Sequence, residues 1–201
     1  MKSKIIENKK IKENKLLSAA FELFTNNDFH TVTISDIAKK AEVAKGTFYL
    51  YFKDKYQIRD ILISRESRRI FLNAQKKLEE NDIRNFEDAI IYLINQILID
   101  LESNKMILSF IKKNLSWGIF SDYVRKSYEN DELHIRKNFS EMAKQCGYHY
   151  ENSDVVLFMI LDFVGSSCYG SIINNDPLPI NEFKVYLFDA IRAILRSQSK
   201  E

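Results

Sequence analysis

Residues 33–55 read TISDIAKKAEVAKGTFYLYFKDK, from Thr33 to Lys55. Ile34, Ile37, Ala38 and Ala41 recur at the i, i+3, i+4, i+7 interval of one helix face. Thr33 stands just ahead of them with Asp36 three residues on, the arrangement of a capping box, so a short helix is expected over about 34–41. Glu42-Val43-Ala44 supplies a turn, and a third short helix is expected over about 45–51. Asp54 then offers the cap of a long fourth helix that turns Ile58, Ile61 and Leu62 inward and reaches toward Glu80. A preceding helix is expected over about 14–26, where Leu17, Ala20, Phe21 and Phe24 share a face and Asn26-Asn27-Asp28 ends the run. Two short helices joined by a tight turn, resting on a helix that supplies their core, form a helix-turn-helix unit. Any three-helix bundle shows the same periodicity, so the polar residues of the third helix decide its use.

Beyond residue 82, further long amphipathic segments are expected over about 86–102, 105–115, 123–145, 153–173 and 180–196. Breaks fall at Ser103-Asn104, Trp117-Gly118, Gly147 and Asn174-Asn175-Asp176-Pro177, and no repeat of a solenoid is visible. With 201 residues, 45% of them hydrophobic, the chain can bury a sizeable core; five glycines and two prolines favour helices over strands and turns. The expected fold is all-α, about nine helices, divided into an N-terminal three-helix helix-turn-helix module at 1–58 and a larger helical domain at 59–201.

Residues 1–60 carry 12 Lys and Arg against 8 Asp and Glu, a balance of +4, while the other 141 carry 18 against 20. Most of the excess lies in residues 1–15, with six Lys and two Glu, read as a mobile basic arm that adds sequence-independent attraction to phosphates. Cys146 and Cys168 have no C-x-x-C spacing and no histidine at ligand distance, which excludes a disulfide framework or zinc site and suggests buried thiols in a reducing compartment. His30, His134 and His149 form no H-x-x-x-H pair, so neither a metal nor another cofactor is expected. The N-terminus has no apolar h-region, and the longest apolar run, 155–161, is interrupted by Asp162 far short of a bilayer span; a cytoplasmic protein is expected. There is no G-x-S-x-G, no glycine-rich phosphate loop and no pair of carboxylates at catalytic spacing, so an enzyme is not expected.

The stretch from Thr33 to Lys55 closely resembles the DNA-binding signature of the TetR family, T-x-x-x-I-A-x-x-A-x-V-x-x-G-x-x-Y-x-Y-F-x-x-K, with the likeness covering about residues 14–60. The resemblance implies that Val43 locks the second helix against the third and that Gly46 removes a side chain where the third helix approaches the duplex. Ala44, Lys45 and Thr47 then face the groove, Tyr49 and Tyr51 donate to phosphates, and Lys55 pairs with a phosphate at the fourth helix's positive end. Thr33 offers its hydroxyl and the amides of a helix N-terminus to another phosphate. Tyr51 is alternatively a core residue with its hydroxyl at the rim. Phe48 and Phe52 read as core, Lys39 and Lys40 as solvated charges, and direct base contacts as sparse.

Proteins of this type dimerise through their last two long helices. The resemblance therefore assigns Leu187, Phe188, Ile191, Ile194 and Leu195 of the last helix and Ser166, Tyr169 and Gly170 of the one before to a homodimer interface, with packing inside one subunit as the alternative for each. A twofold dimer implies a pseudo-palindromic double-stranded operator. The middle of the chain is rich in aromatics and methionines: Phe86, Tyr92, Met106, Phe110, Trp117, Phe120, Tyr123, Phe158, Met159 and Phe163 are either ordinary core or the wall of a cavity for a small apolar or aromatic effector. Asp162, the charge within that apolar region, faces the cavity, pairs with a base at the dimer interface, or lies exposed. The expected function is a repressor released from its operator by such an effector; the alternative is a helical ligand-binding protein without operator function.

Overall fold

The computed structural model describes residues 2–111, 115–120 and 135–200, and the side chains of 7–111, 116, 119, 120 and 135–200. The described residues form α1 Lys2–Asn26, α2 Ile34–Lys40, α3 Lys45–Phe48, α4 Lys55–Glu79, α5 Phe86–Ser103, α6 Lys105–Ile111, α7 Leu115–Phe120, α8 Ile135–Gln145, α9 Ser153–Ile173 and α10 Ile180–Ser197. A two-residue antiparallel pair, β1 His149–Tyr150 with β2 Ser199–Lys200, is the one strand pairing among them. The chain divides into two compact units, Met1–Ser64 and Arg65–Glu201.

In the first unit, α1 starts at Lys2, so the basic arm expected as a mobile tail is helix. The first 26 residues hold no Gly or Pro to interrupt it. Its other end is closed by side chains that fold back, Asn26 Nδ2 donating to the Glu22 carbonyl (2.8 Å) and Asn27 Nδ2 to that of Leu23 (3.0 Å). The capping box of α2 is present: the Asp36 amide donates to Thr33 Oγ1 (3.2 Å), and the Thr33 amide and hydroxyl donate to Asp36 Oδ2 (2.9 and 2.6 Å). Those two donors hold the Asp36 carboxyl below its usual range. α2 ends in a Schellman motif, the Val43 amide reaching the Ala38 carbonyl (3.0 Å) and the Glu42 amide that of Lys39 (3.1 Å). Glu42 takes the left-handed φ of +57° there, a position a glycine would fill without strain. Ion pairs Lys40–Glu22 (2.6 Å) and Lys15–Glu42 (3.6 Å) fasten α1 to α2 and its turn. α3 is shorter than expected, ending at Phe48, with Leu50 and Tyr51 in a further tight turn on the Thr47 and Phe48 carbonyls. Leu17, Phe24, Ile37, Phe48, Phe52 and Ile58 form the core beneath.

In the second unit, Asn85 caps α5 and Asn152 caps α9 through their side-chain oxygens. α9 packs on α5, α6, α7, α8 and α10 and is apolar on nearly every face. By length and composition it could cross a membrane, more than its longest uninterrupted run suggested, but half of it is buried inside the unit as a core helix is. Trp117-Gly118, expected to break a helix, lies within α7, since a lone glycine is tolerated in a packed helix. At Gly170 a Cβ would stand 2.7 Å from the Asp176 carbonyl oxygen, and the Gly170 carbonyl accepts from the Asn174 (2.8 Å) and Asp176 (3.3 Å) amides. The chain turning from α9 into α10 therefore lies directly on this glycine. α8 ends in a second Schellman motif, here with Gly147 at φ +82°.

One buried carboxylate ties this unit together. Glu87 of α5 accepts from Arg196 Nε and Nη2 (2.7 Å each), Arg192 Nη1 (3.1 Å) and the Tyr148 hydroxyl (2.7 Å). These donors outweigh the burial that opposes ionisation and hold its carboxyl down to about 2. Beside it Phe86, Phe139, Tyr148 and Tyr150 form an aromatic cluster, with Phe139 and Tyr150 stacked 6.0 Å apart.

Candidate nucleic-acid interface

Burying Phe48 on the inner side of α3 leaves its outer side facing water: Ala44, Lys45, Gly46 and Tyr49 are exposed, Thr47 and Tyr51 half-buried. A Cβ built at Gly46 would meet nothing of this chain within 4 Å, so the missing side chain clears space outside the protein rather than inside it. Tyr49 is 54% and Leu50 77% exposed, and nothing in the sequence had singled out Leu50. The surface thus offers a cationic group, a close-approach backbone and a phenol, groups that suit a phosphate backbone.

Two expected phosphate ligands are differently occupied. Lys55 Nζ donates to the carbonyls of Phe29 (2.9 Å), His30 (3.1 Å) and Val32 (3.0 Å) and sits 4.7 Å from the centre of the Phe29 ring. An ammonium has three donors and all are used, so Lys55 holds the α1–α2 loop onto the start of α4 instead of standing free for a phosphate. Thr33 is exposed, but its amide and hydroxyl are both engaged by Asp36, leaving only the following backbone amides of α2 free at that end.

In the second unit a cavity of about 180 Å3 lies among α4, α5, α8 and α9. Phe71, Leu78, Ile90, Ile94, Phe139, Met142, Leu157 and Leu161 make its walls, with Gln75, Glu79 and Asn138 as its polar groups. None of the expected pocket residues whose side chains are described lines it. The Tyr92 hydroxyl accepts from Asn81 Nδ2 (3.0 Å), Met106 is exposed, and Phe110 and Phe163 are half-buried elsewhere. Phe120 meets the exposed Phe158 edge-on at 5.5 Å. Tyr123 and the Trp117 side chain lie outside the described residues. Asp162 is half-buried and accepts from Ser116 Oγ (2.9 Å), a bond between α7 and α9. The cavity walls are mostly aliphatic residues with Phe71, Phe139 and Met142, side chains that any helical core uses, so nothing in the sequence marked them; the aromatic residues that did attract notice and are described belong to other packing.

The last two helices also differ from expectation. Leu187, Ile191 and Leu195 are fully buried inside the unit, Phe188, Ile194, Tyr169 and Gly170 are half-buried, and Ser166 is exposed. The apolar stripe of α10 is the seam against α5 and α9, because a helix buries its widest apolar face within its own chain first. The apolar side chains left outside are Val185 (61% exposed) and Tyr186 (66%) of α10, with Val155 and Phe158 of α9. Gly170 serves the intrachain turn described above. Of the two cysteines, Cys146 is exposed rather than buried; Cys168 is buried, which pushes its thiol up to about 11.

A helix-turn-helix module with its third helix uncovered, followed by a larger all-helical unit, defines a class of DNA-binding transcriptional regulators. The pattern of the bacterial regulatory proteins of the tetR family matches residues 16–60. The uncharacterized HTH-type transcriptional regulator YdgC of Bacillus subtilis is 30% identical over 155 residues, covering 77% of this chain and 75% of that protein. The fatty acid metabolism regulator protein of the same organism is 46% identical over 59 residues, 29% of each chain. Among solved structures, a TetR-family transcriptional regulator from Haemophilus influenzae superposes with a TM-score of 0.59 at 23% identity, covering 94% of this chain and 97% of that one. The chain belongs to the TetR family of helix-turn-helix transcriptional regulators, which are not enzymes.

Proposed function

We propose that this regulator is a cytoplasmic homodimeric repressor that holds a pseudo-palindromic operator through Ala44, Lys45, Gly46, Thr47, Tyr49 and Tyr51 and leaves it when a small apolar effector enters the cavity. The observation that carries the reading is the cavity itself: four helices close around an apolar space, and one of them, α4, begins at Lys55 beside the helix-turn-helix module. At about 180 Å3 it is slightly larger than a 150 Å3 apolar cavity that stays dry and binds benzene, so the effector has a small apolar body. Ligand that favours one setting of α4 shifts the population of that setting, and with it the spacing of two recognition helices. The second copy covers Val155, Phe158, Val185 and Tyr186, which are costly to leave in water on a free chain.

Fluorescence anisotropy with a labelled duplex recovered by selection from a random-sequence pool tests this, with light scattering for the mass in solution. The expected result is saturable binding of a dimer that weakens steeply with salt, falls with Tyr49→Phe, and is reversed by a small apolar compound but not in a Leu157→Trp variant that fills the cavity. A protein that selects no sequence, yet still binds such compounds, is instead a ligand-binding protein without operator function.

A further inference from the structure

The family pattern begins at residue 16, whereas α1 begins at Lys2, so several helical turns precede the shared module. One face of this extension carries Asn8, Lys9 and Lys12, which line a shallow groove of about 440 Å3 whose opposite wall is Leu50 and Tyr51 at the end of α3. Both lysines are exposed. Lys15 and Lys40 pair with carboxylates, but Lys9 and Lys12 have no such partner among the described residues. Leu50 is the most exposed large apolar side chain among them.

A groove with ammonium groups on one wall and an aliphatic chain on the other matches the alternation along a nucleic-acid strand, where charged phosphates are separated by sugars with apolar faces. It also directly adjoins Tyr49 and the exposed side of α3, so a duplex on that surface reaches it. We propose that this groove seats the sugar–phosphate backbone of DNA beside the recognition helix, Lys9 and Lys12 each neutralising one phosphate and Leu50 lying on a deoxyribose. The proposal rests on the reading of this chain as an operator-binding protein and adds a contact strip outside the family's shared segment.

The test measures affinity against salt for Lys9→Gln, Lys12→Gln and the double variant on the selected duplex and on a random one. Each substitution is expected to make the slope of log K against log[salt] shallower by about one per subunit, with affinity falling alike on both duplexes. Lys10→Gln, an equal charge change away from the groove, leaves the slope near that of the wild type. Leu50→Ala weakens binding severalfold without changing the slope, and Lys9→Arg and Lys12→Arg keep the wild-type slope that the glutamine variants lose, which separates charge from any effect on α1. Slopes for Lys9→Gln and Lys12→Gln no different from that of Lys10→Gln overturn the groove while leaving the operator reading intact. A wild-type protein that binds neither duplex overturns both.

Discussion

Lys55 in the first unit and Glu87 in the second each gather distant stretches of chain around one charge, but with different partners. Lys55 is half-buried and its donors meet three neutral carbonyls of a single loop. Glu87 is almost wholly buried and faces two guanidinium groups and a phenol from two separate elements. The carboxylate is therefore poised in an acid-sensitive balance in which removal of either sign strands the other, while the ammonium, bonded only to neutral carbonyls, can be replaced with smaller loss. The difference teaches that both units rest on apolar cores, and that the second adds to its core a buried ionic centre that the first does without.

The most damaging substitution on this view is Glu87→Gln, which leaves Arg192 and Arg196 without their anion. It is expected to destabilise the second unit by about 3 kcal/mol, read from the fluorescence of the single tryptophan, Trp117, during urea unfolding. Acid probes the same group without mutation. Its carboxyl is lowered from 4.5 to about 2 in the folded protein, so its contribution is complete above about pH 4.5 and is lost as the pH falls toward 2. Each tenfold change in an ionisation constant is worth about 1.4 kcal/mol, so the loss amounts to roughly 3 kcal/mol. The corresponding slope of stability against pH should be absent from Glu87→Gln. A wild-type protein whose stability is flat from pH 5 to pH 3 would break the comparison.

Gly170→Ala is expected to cost about 2 kcal/mol by overpacking against the Asp176 carbonyl, again seen at Trp117. Lys55→Met sharpens the contrast most directly. It should cost about 1 kcal/mol and lower DNA affinity while leaving the salt slope unchanged; a slope shallower by about one would make Lys55 a phosphate ligand after all. The smallest change runs the other way. Glu42→Gly relieves a left-handed residue at a cost of one exposed ion pair, a net gain below about 1 kcal/mol in thermal unfolding of the first unit.

The contrast also explains what could be read in advance. Thr33 and Asp36, the turn at Glu42–Ala44 and the cap at Asp54 are local signals, each acting over three or four residues, and the helices they predict begin where they were expected, though α3 ends early. The bounds of α5, α9 and α10 were equally legible because their apolar periodicity stops at the breaks Ser103-Asn104 and Asn174-Asn175-Asp176-Pro177, which are local too. The inward turn of Lys55 was not, since its acceptors are backbone carbonyls that leave no trace in side-chain identity. Nor was the role of Glu87, a single acid among many on an amphipathic helix until its arginines are brought to it. Leu187, Ile191 and Leu195 were visible as a stripe, but periodicity states only that a face is buried and not whether its own chain or another covers it.

The separation between tied residues has a consequence in time. The carbonyls that Lys55 holds precede it by 23 to 26 residues, whereas the arginines that complete the Glu87 site follow it by 105 and 109. Closing the shorter loops costs less entropy and needs less of the chain to have been made. During synthesis the reading module can close soon after α4 starts to emerge, while the ionic centre of the second unit waits until Arg196 has left the ribosome. A ribosome stalled within α9 therefore displays a closed helix-turn-helix module ahead of a second unit that has yet to fold.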